Sequence, residues 1–174
     1  MFGLLWFEHL SGREKRMNGF QEAIHNPVLI APIVSWLLAQ ALKFIINLIV
    51  TKELKLERLV GGGGMPSSHS ATVGALATVT ALTYGPASFE FAISAIFAMI
   101  VMYDAMNVRL ETGRQGTFLN LLVKNEDIKE KLDEVERQQW PETIFKEYVG
   151  HTPAQVAVGL VMGILIGWAA FRLL

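Results

Sequence analysis

Two histidines, each set just ahead of an apolar run, are the residues of this chain best suited to chemistry. His69 belongs to Gly61-Gly-Gly-Gly-Met-Pro-Ser-Ser-His-Ser70, and His151 to Gly150-His-Thr-Pro-Ala-Gln-Val-Ala-Val-Gly159. A glycine loop running into a helix start presents backbone N–H groups that have no intrahelical partner, and the positive end of the helix dipole favours an anion there. Ser67, Ser68 and His69 add side-chain donors in the same turn. The loop is not a nucleotide-binding loop of the Walker kind, because no Gly-Lys-Ser/Thr follows. Read plainly, the stretch is a linker with an N-cap at Ser67, and His151 is an interfacial capping residue. Read chemically, two imidazoles at helix starts on one side of a membrane suit a nucleophile and a general acid flanking one phosphate.

The elements that carry these histidines read as membrane helices. Hydrophobic residues make up 52% of the 174, and only 18% are charged. The mean hydropathy is +0.37. This is more apolar than a soluble domain of this length requires. Four segments have the length or composition to enter a bilayer: Pro27 to Val50, Ser67 to Tyr84, Ala87 to Val108 and Pro153 to Ala170. The second is milder, rich in Ala, Thr, Val and Gly, as in helices that pack closely inside a membrane bundle. In the last, Gly159, Gly163 and Gly167 recur every fourth residue and predict a close-packing face. The expected fold is therefore all-α: an integral membrane bundle of about four transmembrane helices with a cytoplasmic amphipathic insert. Residues 1–25, with Trp6 and Phe7, read as an interfacial segment rather than a cleavable signal. Residues 26–174 form one membrane domain, within which 119–150 is a polar insert. Asn125 to Gln139 predicts an exposed amphipathic helix ending near Pro141.

Cysteine is absent, which excludes disulfides and thiolate metal sites, and a net charge of -1 argues against nucleic acid as a partner. The distribution of charge says more than its sum. The loops after the first and third segments carry Lys52, Lys55, Arg58, Arg109, Arg114, Lys124, Arg137 and Lys146 near the membrane. The opposite side has Arg13, Lys15, Arg16 and Arg172. That bias predicts a multi-pass protein of the cell membrane with both histidines on the cytoplasmic side. A phosphate site also collects cations, so some of these residues serve chemistry rather than orientation.

The two histidine stretches resemble the phosphatidic acid phosphatase type 2 superfamily, which includes the vanadium haloperoxidases. Pro66-Ser-Ser-His69 looks like its Pro-Ser-Gly-His motif, and the stretch from Gly150 looks like its His-x3-Asp motif. With Tyr103-Asp-Ala-Met-Asn-Val-Arg109 and Gly113-Arg-Gln115 between them, the pattern is most similar to the divergent branch of small bacterial and plastid proteins. The resemblance covers roughly residues 24–172. It implies that His151 attacks phosphorus to form a phosphohistidine, that His69 protonates the leaving alcohol, and that water then releases phosphate. Neither cofactor nor metal enters that scheme. The substrate it implies is a lipid phosphate held in the membrane, with phosphatidylglycerophosphate, phosphatidic acid and polyprenyl diphosphate as candidates.

The chain departs from the superfamily pattern at three places. The first motif, Lys-x6-Arg-Pro, is imperfect: five residues separate Lys52 from Arg58, and Leu59 replaces the proline. Lys43 is the alternative cation, reaching the site by snorkelling. The Ser-Arg pair upstream of the second histidine is missing, with Arg109 and Arg114 as replacements or, on the plain reading, as positive-inside anchors. Gln155 stands where an acid is expected; it can accept a hydrogen bond from the imidazole but supplies no charge. Asp104, at the membrane end of an apolar helix, is expected to hold Arg109 or another site cation. These departures motivate a second reading, a non-catalytic relative that binds lipid headgroups or scaffolds a membrane complex. A haloperoxidase fits less well, because those members of the superfamily are soluble and this chain reads as a membrane protein. Exposed small-residue faces suit a homodimer in contact with membrane lipids.

Overall fold

The computed structural model describes residues 19–52, 63–125, 145 and 149–174. The expected interfacial segment at the N-terminus, most of the expected helix over 125–139, and Lys55, Arg58, Arg137 and Lys146 lie outside these residues. The elements are α1 (Gly19–Ile24), α2 (Pro27–Thr51), α3 (Ser68–Tyr84), α4 (Phe89–Met106), α5 (Val108–Val123) and α6 (Pro153–Leu173). No strand occurs among the described residues.

The helices α2, α3, α4 and α6 start where the sequence supplies a cap. Asn26 accepts the N–H of Val28 ahead of Pro27, and Ser88 accepts that of Phe91. Ser67 caps α3 and Thr152 caps α6, the latter with Pro153 at the first helical position. Three helical runs are long and apolar enough to cross a membrane: Pro27–Thr51, Phe89–Val123 and Pro153–Leu173. The second sequence segment also forms a helix, but at 17 residues it is shorter than these. It rises only about 25 Å at 1.5 Å per residue. Its small side chains let it occupy the middle of the bundle, with α2, α4 and α6 packed around it.

The helix α3 runs parallel to α6, and the two are in register. A Cβ added at Gly159 would stand 2.3 Å from the Ser67 carbonyl oxygen, at Gly163 2.3 Å from that of Ala71, and at Gly167 2.7 Å from that of Ala75. The glycine spacing read from the sequence is thus the seam that joins α6 to α3. On the other flank, the Ser35 hydroxyl on α2 donates to the Ala71 carbonyl at 2.9 Å. Ala31, Ala75 and Val79 form the small core beneath this polar contact. Apolar side chains such as Leu37, Ile49, Phe97, Met99 and Leu165 point outward, as a lipid-facing surface requires.

The sequence reading ended the third segment at Val108. Helical structure breaks there only at Asn107 and resumes as α5 to Val123. Residues 108–123 mix charged, small and apolar types, so no hydrophobic period announces the helix. It is held from α4 and, at its far end, by the chain segment that leads to His151.

Candidate active site

The fold brings His69 and His151 together. His69 lies in the first turn of α3, and His151 lies just ahead of α6. Because α3 and α6 are parallel, both residues sit at the same end of the bundle. Their ring centroids are 5.7 Å apart, with the planes inclined at 65° in an edge-to-face arrangement.

His151 is held from four directions. Its N–H donates to the Ala105 carbonyl at 3.0 Å, tying it to the end of α4. Gly150 before it lies against the Arg109–Leu110 backbone, where a Cβ would stand 2.2 Å from Leu110 N. The Ser67 N–H donates to the Gln155 carbonyl at 3.1 Å, so the starts of α3 and α6 are stitched together. Finally, Nδ1 of His151 lies 3.4 Å from Gln155 Oε1.

That last contact fixes the tautomer. Gln155 Oε1 also accepts the Thr152 N–H at 3.0 Å, as the reciprocal half of a capping box. A backbone N–H can only donate, so the amide atom facing it is oxygen. An oxygen acceptor at Nδ1 requires the imidazole proton there, which leaves the lone pair on Nε2. Nε2 is buried and makes no hydrogen bond among the described residues. His151 itself is fully buried. Burial first, then the Lys43 ammonium and His69, hold its pKa down at about 4, against the Gln155 hydrogen bond and the Gly64 backbone, which favour the cation. The side chain therefore stands as a neutral imidazole whose buried Nε2 lone pair has no partner among the described residues. The Thr-x-x-Gln signature of this capping box was legible in the sequence, and it gives Gln155 a role beyond that of a weakened acid.

Two cations flank the pair. Lys43 is only 3% exposed although it sits in the second half of a membrane helix. Its stem passes Gly64, whose φ of +95° disfavours any side chain and where an added Cβ would stand 3.3 Å from Lys43 Cγ. Its charge acts on both imidazoles. Arg109, at the start of α5, donates from NH1 to His69 Nε2 at 3.4 Å and pairs through Nε with Asp104 at 2.5 Å. The pairing of Asp104 with Arg109 is the one read from the sequence. Arginine only donates, so His69 carries its proton on Nδ1 while this contact holds, and that buried nitrogen has no partner among the described residues.

The other expected residues are placed differently. The Ser67 hydroxyl accepts both the Ser70 N–H and the Ser70 hydroxyl, so its acceptor capacity serves the cap. Ser68 is buried beside it in the first turn of α3. Lys52 ends α2 as an exposed left-handed cap. Arg114 points into solvent and pairs with Glu111 at 3.3 Å. The cations that the structure brings to the histidines are thus Lys43 and Arg109, one of them reached through the helix rather than from a loop.

Asn120 was missed by sequence reasoning. It is buried on α5, its amide donating to the Phe145 carbonyl at 2.9 Å and accepting the Phe145 N–H at 2.8 Å. A lone asparagine on a mixed-polarity helix gives no signal of such a long-range contact.

Among known proteins, the profile described as the Divergent PAP2 family matches residues 24–166. The uncharacterized membrane protein YuiD of Bacillus subtilis (strain 168) is 41% identical over 152 residues, covering 83% of this chain and 94% of that protein. No solved structure matches the chain.

Proposed function

The chain belongs to the Divergent PAP2 family, and we propose that it is a membrane phosphatase that cleaves a lipid phosphate through a phosphohistidine. The observation that carries this reading is the buried His151 Nε2, without a hydrogen-bond partner among the described residues, beside His69, with Lys43 acting on both rings and Arg109 on His69. In the first step His151 Nε2 bonds to phosphorus as the P–O ester bond breaks, and His69 gives its proton to the leaving oxygen. In the second step water attacks phosphorus, returns a proton to His69 and breaks the N–P bond. Phosphate leaves and both imidazoles are restored. Lys43 and Arg109 neutralise the charge on the non-bridging oxygens. Arg109 turning from His69 to the phosphate frees Nε2 of His69 to carry the proton it delivers.

A lipid substrate is supported by the surface beside the site. An open groove of about 600 Å³ runs between α2 and α6, lined by apolar side chains including Leu38, Leu42, Ile45, Val158 and Met162. Ile45 and Val158 lie on the same two helices as Lys43 and Gln155, two and three residues away, so the groove runs along the helices that carry the site. We assign it to an acyl or prenyl chain of the substrate. The cation bias of the loops favours a cytoplasmic-side site and hence a lipid made in the inner leaflet, which puts phosphatidylglycerophosphate ahead of phosphatidic acid and polyprenyl diphosphate.

A non-catalytic headgroup-binding protein is the second reading, favoured by the uncharged Gln155. Purified protein in detergent, given a panel of lipid phosphates, separates the two. Phosphate release with an acid-labile phosphoenzyme that disappears in His151→Ala is expected. Saturable lipid-phosphate binding without phosphate release or phosphoenzyme would overturn the catalytic reading.

A further inference from the structure

We infer that Asn120 is a further positioning residue for His151, acting by pinning the main chain at Phe145, six residues before the histidine, to α5. This inference rests on the proposed role of His151. The chain touches α5 at both ends of a short stretch. Phe145 is held by both polar atoms of the Asn120 amide, at 2.9 and 2.8 Å. Five residues later, Gly150 lies on the backbone of Leu110, and His151 donates to Ala105. The direction is antiparallel: as the chain advances from Phe145 to His151, its partners recede from Asn120 through Leu110 to Ala105.

The spacing makes the anchor consequential. Leu110 and Asn120 are ten residues apart on one helix, about 15 Å of rise. Five residues can bridge at most about 17 Å. With Phe145 fixed, Gly150 is confined to that reach from it; with Phe145 released, that restraint is lost, and the Gly150 contact has no side chain to hold it in place. An asparagine is suited to the task because one planar amide satisfies the N–H and the carbonyl of the same residue, fixing both position and direction. Its burial removes water that would compete for those bonds.

Asn120 touches neither imidazole, so its effect must pass through the backbone. Displacement of a reacting group by about 1 Å costs on the order of a hundredfold in rate. The expected result for Asn120→Ala in the full chain, in nanodiscs, is a fall in kcat of about that size with KM little changed. Lys43 lies on α2, and Arg109 keeps its own pairing with Asp104, so the proposed phosphate contacts do not depend on Phe145. Asn120→Asp, which keeps the acceptor for the Phe145 N–H, should lie between the two.

The native chain has no cysteine, which permits a sharper test. In the Asn120→Cys/Phe145→Cys double variant, oxidation should replace the two hydrogen bonds with a covalent pin and recover kcat, and reduction should return it to the Asn120→Ala level. In parallel, the imidazole resonances of His151 are titrated by NMR in ¹⁵N-histidine protein. In Asn120→Ala and in the reduced double variant, His151 should titrate closer to an ordinary histidine than it does in the parent. Unchanged kcat and unchanged His151 titration in Asn120→Ala would overturn the inference, as would equal behaviour of the oxidised and reduced forms. If the parent shows no turnover of any substrate, the functional reading falls, and the NMR comparison still decides whether Asn120 positions His151.

Discussion

The imidazole of His151 meets that of His69 edge to face, 5.7 Å between centroids, although the two residues start different helices far apart in the chain. Only the parallel pairing of α3 with α6 brings them together, and different tasks at one phosphate follow from their surroundings. His151 offers a free lone pair, whereas His69 is engaged by a cation that a phosphate can draw away.

The division of labour predicts unequal mutants. His151→Ala should abolish turnover of every substrate, because no phosphoenzyme forms. His69→Ala should lose about a hundred- to ten-thousand-fold on a lipid phosphate, the usual contribution of general acid catalysis. It should lose far less on an aryl phosphate whose leaving group needs no proton. Steady-state rates on the two substrates check this, and equal losses would assign His69 to binding instead.

The environment of His151 predicts its behaviour with pH. Its pKa in the fold is about 4, below the ordinary value of 6.5. Between those values the unfolded chain binds the proton and the folded chain does not. Stability from this group is therefore complete above about pH 6.5 and is lost as the pH falls towards 4. Thermal denaturation in detergent should show a decline over that window, and His151→Asn, which cannot ionise there, should flatten it. An NMR titration placing His151 near 6.5 would contradict the buried, cation-flanked site.

The stripe on α6 predicts a severe steric response. Gly163→Ala sets a methyl carbon 2.3 Å from the Ala71 carbonyl oxygen, so the two helices must part. Overpacking of this kind costs about 1–3 kcal/mol or more. Gly19→Ala, where nothing lies within 4 Å, serves as the control. Thermal midpoints of the two variants in the same detergent should differ clearly, with only Gly163→Ala lowered.

How much of this was legible in the sequence depended on the kind of signal. The helices that face lipid announced themselves by length and apolarity, and the seam announced itself by the spacing of Gly159, Gly163 and Gly167. The pairing of the histidines followed from their equivalent places ahead of two helices. What stayed hidden was set by tertiary contact. Lys43 was legible as a cation that could reach the site, but the passage of its stem beside Gly64 was not. The helix α5 has no apolar period because it packs mainly on α4. Asn120 recognises backbone atoms of Phe145, and recognition of backbone leaves no trace in residue types.

The groove predicts selectivity for chain length. It extends over about 12 Å of α6, from Val158 to Ile166. Met162→Trp puts a large side chain midway along it. The expected outcome is a raised KM for a long-chain lipid phosphate and an unchanged KM for a short-chain analogue, which never reaches that depth. An equal rise for both would mean that the substitution disturbs the histidine site and that the groove holds no substrate chain.

Gln155 joins these lines, because one amide oxygen caps α6 and faces His151 Nδ1. Gln155→Glu keeps an acceptor for both donors and adds a negative charge beside the imidazole. The charge favours the cation, so the His151 pKa should rise from about 4 towards or beyond the ordinary value. The same charge stabilises the cationic phosphohistidine, so phosphoenzyme formation near neutral pH should speed up and its acid limb should move to higher pH. A carboxylate at a helix N-terminus is also favourable to the dipole, so the thermal midpoint should not fall. Gln155→Leu has the opposite character. It removes the acceptor from the Thr152 N–H and from Nδ1, so the tautomer is no longer imposed and the reciprocal half of the capping box is lost, while the Thr152 cap itself remains. Its rate should drop at every pH, and its midpoint should fall by the equivalent of about 1 kcal/mol, the usual net value of one hydrogen bond. Rapid-quench measurement of the phosphoenzyme across pH for the parent and both variants tests the pair. Identical pH–rate profiles in all three would remove Gln155 from the mechanism and leave it as a capping residue only.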